Sequence, residues 1–258
     1  MPQKVFIKNK KELKLAVIVS KPENEGVFPA VILLHGFTGY KEEPYYPTLS
    51  TNLLKHDIVS IRFDASGYGE SEGTLEKDYR FSNYLSDIGV IYKYTKSLDY
   101  VDESRIAISG HSMGGLLTIV FSSRHPAIIC LCAISSPVKM ETSKEMSKNL
   151  LNWKKRGYLK KVSSRFGPVR IPWAFIEDAS KWDATSSVKR VKVPILVIAG
   201  TGDTTVLSKE TKKIYESANQ PKEYIEIKGM THDFKNYPEI LSRVNNKITD
   251  FFIKYLNV

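Results

Sequence analysis

A short Ile-rich run, Ile106-Ala107-Ile108-Ser109, leads directly into Gly110-His111-Ser112-Met113-Gly114. The chain leaves that motif as the apolar, helix-prone stretch Leu116-Leu117-Thr118-Ile119-Val120-Phe121. Few folds accept that succession. A strand, a sharp turn and a helix in this order lift the central serine of Gly-x-Ser-x-Gly out of a sheet, where it can act as a nucleophile. The turn strains the serine backbone, so the positions two before and two after it must be small, and Gly110 and Gly114 meet that need.

A serine nucleophile needs a base, a carboxylate that orients the base, and donors for an oxyanion. On a strand–turn–helix scaffold the chain order is Ser, then Asp or Glu, then His. Two histidines follow Ser112. His125 falls at the far end of the helix that starts after the serine, several turns away. His232 lies in a loop after the strand-like run Tyr224-Ile225-Glu226-Ile227 and is the expected base. The expected acid is Asp203. It stands in a loop just after residues 193–200, a continuous apolar run of the kind buried on both faces of a sheet. Asp178 and Asp183 precede that run, and Asp233 adjoins the histidine itself. The oxyanion donors are expected to be the backbone N–H of Met113, next to the serine, and that of Phe37, in the loop after the apolar run 30–34. His35 and His111 read as structural neighbours.

The wider pattern alternates strands and helices. Strands are expected at 5–7, 13–20, 30–34, 58–63, 105–109, 128–135, 194–199 and 224–227. Helices are expected at 47–55, 83–96, 113–124, 209–217 and 238–255. That alternation implies an α/β fold with a mostly parallel eight-stranded sheet covered on both faces.

The blocks His35-Gly36-Phe37, residues 64–71, residues 110–115, Gly202-Asp203-Thr204-Thr205-Val206 and His232-Asp233-Phe234 resemble those of the serine esterases of the α/β-hydrolase superfamily. The resemblance covers nearly the whole chain. In detail it is most similar to bacterial feruloyl (cinnamoyl) esterases and, less closely, to monoacylglycerol lipases. It implies an α/β-hydrolase core over 1–135 and 184–258, with 136–183 inserted after the sixth strand as a cap over the serine. It also implies a carboxylic ester hydrolase that works through an acyl-enzyme and needs no metal or cofactor. Short-chain esterase and thioesterase chemistry use the same parts. A non-catalytic receptor on this fold would show erosion of these groups, and none is missing.

Residues 136–183 hold all three tryptophans and eleven Lys and Arg against five Asp and Glu, so more than half of the net charge of +10 falls there. Most of the segment's aromatics are expected to glue the cap to the core. One or two of Trp153, Tyr158, Phe166 and Trp173 are expected to line a substrate pocket and favour a small, medium or planar aromatic acyl group. The basic balance raises nucleic acid as a partner, but no binding motif accompanies it and the lysines are spread along the chain. No apolar run reaches the length of a membrane span, and no secretory signal is visible at the N-terminus. Cys130 and Cys132 read as small buried residues of a reducing compartment. The expected setting is cytoplasmic and the expected partner a small-molecule ester, with a homodimer left open.

Overall fold

The computed structural model describes residues 2–163 and 165–258, the side chains of Lys144 and Glu145 excepted. Met1 and Ser164, which fall within the expected core and insertion, lie outside the described residues.

Among the described residues, ten strands and eight α-helices follow in chain order: β1 (Gln3–Lys8), β2 (Lys14–Ser20), β3 (Phe28–Leu34), α1 (Tyr45–Leu54), β4 (Val59–Phe63), α2 (Phe81–Lys96), β5 (Val101–His111), α3 (Met113–Ser122), β6 (Ile128–Ile134), α4 (Lys144–Arg156), β7 (Tyr158–Ser163), β8 (Gly167–Pro172), α5 (Trp173–Ala179), α6 (Ala184–Val188), β9 (Ile195–Gly200), α7 (Ser208–Ser217), β10 (Lys222–Ile227) and α8 (Pro238–Leu256). The central sheet has the order β1-β2-β4-β3-β5-β6-β9-β10. β2 runs antiparallel to both of its neighbours, and every other adjacent pair is parallel.

The inner strands are buried on both faces because helices cover both. Along β3, Ala30, Ile32 and Leu34 join the apolar layer that includes α2, α3 and α7, while Val31 and Leu33 join the layer formed by α1 and α8. Alternate side chains of one strand thus feed two separate cores. The closing helix α8 shows the matching pattern, with Leu241, Val244, Ile248 and Phe252 buried along one stripe.

Residues 136–183 contain more structure than the sequence suggests. The segment holds α4, α5 and the hairpin of β7 and β8, which forms its own two-stranded antiparallel sheet. Ser143 caps α4 by accepting the N–H of Met146, and Gly157 ends it in the left-handed region at φ 77°. The hairpin strands escape a search for apolar runs because most of their residues are exposed or half-buried. Among the described residues, no helix is long and apolar enough to cross a membrane.

Candidate active site

Ser112 occupies the turn between β5 and α3, with φ 56° and ψ −122°. Few L-residues adopt such a conformation, and it is held by fixed contacts on both sides. The N–H of Ser112 donates to Ile134 O at 2.8 Å, and its own carbonyl accepts from Gly115 N at 2.9 Å. The glycine spacing has a direct cause. A Cβ on Gly110 would stand 2.2 Å from the carbonyl oxygen of Gly114, and one on Gly114 would stand 2.3 Å from that of Leu34. The strand and the helix cross too closely for any side chain there.

Two distant loops converge on this serine. His232 Nε2 lies 3.0 Å from Ser112 Oγ, and His232 Nδ1 lies 2.8 Å from Asp203 Oδ2. Asp203 is buried, and its Oδ1 accepts from the N–H groups of Thr205 at 2.9 Å and Val206 at 2.8 Å. The carboxylate therefore has one oxygen fixed by the backbone and one left for the imidazole. That contact requires a proton on Nδ1, which leaves the Nε2 lone pair directed at the serine hydroxyl. The loops after β9 and β10 are fastened to each other. Gly202 N donates to Met230 O at 3.0 Å, and Gly229 N donates to Thr201 Oγ1 at 2.8 Å.

The other carboxylates are spent elsewhere. Asp178 accepts the N–H and the hydroxyl of Ser82 at the start of α2. Asp183 caps α6 by accepting Ser186 N at 2.8 Å. His125 stacks on Phe121 with ring centroids 3.7 Å apart at the far end of α3. Among the described residues, no group of three His, Cys, Asp or Glu side chains is placed to hold a metal ion.

Met113 opens α3, where the first backbone N–H groups have no intrahelical partner. Phe37 faces the same space from the loop after β3. A Cβ on Gly36 would lie 3.3 Å from the Cβ of Ser112, which measures how tightly the two loops approach. Three buried tyrosines brace the Phe37 loop, a feature that sequence reasoning missed. Tyr84 OH accepts His35 N at 2.9 Å, Tyr79 OH accepts Thr38 N at 2.8 Å, and Tyr68 OH donates to Thr38 O at 2.9 Å. Thr38 itself has φ 57°. His35 adds a further brace. Its Nε2 accepts Ala65 N at 3.1 Å, which leaves Nδ1–H to donate to Gly36 O at 2.9 Å. Burial holds the His35 imidazole below its ordinary range, so it stays neutral. Beneath the loop, the buried ammonium of Lys41 joins Asp64 and Glu70. Lys41, with Lys4 beside it, pulls the Glu70 carboxyl down to about 2.

His111 is buried beside the base, its ring centroid 4.7 Å from that of His232, with the edge of Phe234 against it. Burial, then the neighbouring His232 and Lys235, hold it well below the ordinary histidine range.

A cavity of about 520 Å³ opens over Ser112 and His232. Phe37 and Tyr40 line it from the core, and Met140, Met146, Lys161 and Val162 line it from residues 136–183. None of Trp153, Tyr158, Phe166 and Trp173, of which one or two are expected at the pocket, is on this wall. Trp153 is buried, donates its indole N–H to Ile171 O at 2.9 Å, and lies parallel to Phe175. Trp173 packs edge-on against Trp153. Phe166 packs on Tyr68, and Tyr158 lies under the Arg170 guanidinium. The physical reason is the size of the segment. So short a piece has little core of its own, so its largest apolar side chains go into fastening it down, and smaller ones are left at the cavity.

The model of the alpha/beta hydrolase fold family matches residues 29–163, which is more than half of the chain. An uncharacterised 31.7 kDa protein of Escherichia coli is 22% identical over 94% of this chain and 96% of its own length. Among solved structures, Est1E of Butyrivibrio proteoclasticus with ferulic acid bound superposes with a TM-score of 0.80. It is 21% identical over 98% of this chain and all of that one. The α/β hydrolase GrgF of Penicillium sp. sh18 superposes with a TM-score of 0.85 and 17% identity over the full length of both chains. At these identities the structural likeness speaks to the fold alone.

Proposed function

The chain belongs to the α/β-hydrolase family, and from that premise we propose that it hydrolyses carboxylic esters with Ser112, His232 and Asp203 as its triad. The observation that carries the reading is the unbroken chain of contacts from Ser112 Oγ through the His232 ring to Asp203, at 3.0 and 2.8 Å. In the proposed reaction Ser112 attacks the ester carbonyl as His232 Nε2 takes its proton. Asp203 keeps the imidazole in the required tautomer and stabilises the imidazolium. The N–H groups of Phe37 and Met113 hold the developing oxyanion. His232 then protonates the departing alcohol, and a water activated by the same ring releases the acid from the acyl-serine.

Residues 136–183 act in this proposal as a cap on a core of 1–135 and 184–258, because they supply one wall of the cavity. The acyl group is small to medium. A planar hydroxycinnamoyl group is supported by Phe37 and Tyr40 on the core wall, and no longer by the cap aromatics. Met140 and Met146 favour the competing reading, a flexible alkyl ester such as a monoacylglycerol, because thioether side chains adapt their shape to a mobile chain.

A fluorophosphonate tests the chemistry. It should inactivate the protein and leave its mass on the peptide that carries Ser112. The Ser112→Ala variant should take up no label and turn over p-nitrophenyl acetate at least a thousandfold more slowly. A labelled peptide elsewhere, or an active Ser112→Ala protein, overturns the assignment. Comparing kcat/KM for hydroxycinnamate, short-chain and monoacylglycerol esters then ranks the substrates.

A further inference from the structure

A second cavity, of about 230 Å³, opens at the C-terminal end of α3. Its wall carries Arg124, Arg190 and Lys192, together with Ser122 and Ser123, and no carboxylate. Among the described residues, no Asp or Glu lies within ion-pair distance of any of the three cations. The two arginines are held in place before any ligand arrives. The Arg124 guanidinium lies 4.5 Å from the Trp182 ring centroid, and Arg190 Nη1 donates to Ser186 O at 3.3 Å. Ser122 is 5% exposed, and its Oγ has no hydrogen-bond partner. Buried hydroxyls ordinarily find partners, and this unpartnered one belongs to a residue of the cationic cavity's wall.

Helix ends do not account for this charge. α3 and α6 both finish beside the cavity, and each helix C-terminus offers roughly half a negative charge at most. Set against three full positive charges, they leave an excess of roughly two. We propose that this cavity binds a small oxyanion, a phosphate or phosphate monoester. Arginine forks pair with phosphate oxygens two at a time, and Lys192 adds a point charge, while Ser123 Oγ already donates to Val120 O at 2.8 Å. At roughly 30 Å³ per water, the cavity holds a phosphate group and a small part of the molecule bearing it. The site is about 15 Å along α3 from Ser112, so it is separate from the proposed ester chemistry.

Calorimetric titration of the full chain at low ionic strength, with orthophosphate and then with glycerol 3-phosphate, tests the site. One saturable site per chain is expected, weakened tenfold or more in Arg190→Gln/Lys192→Gln and by high sodium chloride. The three cations are exposed, so the double variant should keep the wild-type circular dichroism. A control pair on α7, Lys209→Gln/Lys212→Gln, should bind as wild type does. Vesicles containing phosphatidic acid separate the sources of the phosphate. Sedimentation with them that orthophosphate reverses assigns a lipid headgroup, whereas binding of the free monoester alone assigns a soluble ligand. No saturable binding by the wild type, or equal affinity in Arg190→Gln/Lys192→Gln, overturns the proposal.

Discussion

Asp178 accepts two hydrogen bonds from Ser82, one from its N–H and one from its hydroxyl, each at 2.7 Å. A carboxylate of α5 thus caps α2, a helix that covers one face of the central sheet, by a contact that spans 96 residues of the chain. It supplies the N-terminal cap that Arg80, the residue before the helix, does not provide. The contact joins residues 136–183 to the body of the protein by a charge placed at a helix N-terminus.

Asp178 and Asp203 should therefore separate cleanly on mutation. Asp178→Asn should lower stability by about 1 kcal/mol, the usual worth of a helix cap, and leave kcat of the folded protein within about twofold. Asp203→Asn should leave stability nearly intact and lower kcat by roughly ten-thousandfold, because the imidazole loses its tautomer control. Urea unfolding and ester turnover on the two variants make the comparison. A nearly active Asp203→Asn protein would exclude Asp203 as the acid.

Tyr79→Phe removes the acceptor of the Thr38 N–H and leaves a buried donor unsatisfied. That omission costs about 1–3 kcal/mol. Because Thr38 follows Phe37, the loop that presents the proposed oxyanion donor should loosen, and kcat should fall more than KM rises. Equal kcat in Tyr79→Phe and wild type at a temperature where both are folded would show that the tyrosine only supports the fold.

Trp153→Ala should destabilise the protein by about 3–5 kcal/mol, the cost of emptying a large buried side chain. It should alter the relative kcat/KM of different esters by less than about twofold. Met146→Ala should do the reverse, changing the ratio between a bulky and an acetate ester by tenfold or more at a smaller stability cost. A selectivity change in Trp153→Ala alone would return the pocket wall to the aromatics.

Stability should fall as pH drops below about 6.5, the ordinary histidine range. Burial lowers the folded-state proton affinity of both His35 and His111. Above that range both groups are neutral, folded or unfolded, and contribute no slope. Below it the unfolded chain binds protons that the folded chain refuses, so each histidine removes up to about 1.4 kcal/mol per pH unit. His111→Phe should reduce the slope between pH 6.5 and 5 by one such increment, read from urea midpoints. The Glu70 carboxyl, held at about 2 by Lys41 and Lys4, adds a second loss of stability at lower pH, as it becomes protonated on the way down to about 2.

The features legible in the sequence are those set by neighbours along the chain. Continuous apolar runs mark strands buried on two faces, and all eight strands of the central sheet fall on the expected runs. The close crossing of β5 and α3 demands Gly110 and is written locally, whereas Gly114 is demanded by the carbonyl of Leu34 at the end of β3, and both fall at the fixed spacing about Ser112. What the sequence leaves undecided depends on direction in space. Periodicity does not say that Tyr79 reaches Thr38 across 41 residues, or that Ser112 meets His232 across 120. Nor does it say which side of a half-buried hairpin meets the cavity. Aromatic content alone suggests a pocket wall, whereas packing assigns Trp153 to Ile171 and Phe175. The reason is energetic. A large side chain gains most where it is fully enclosed, and only the assembled layers determine where enclosure is available.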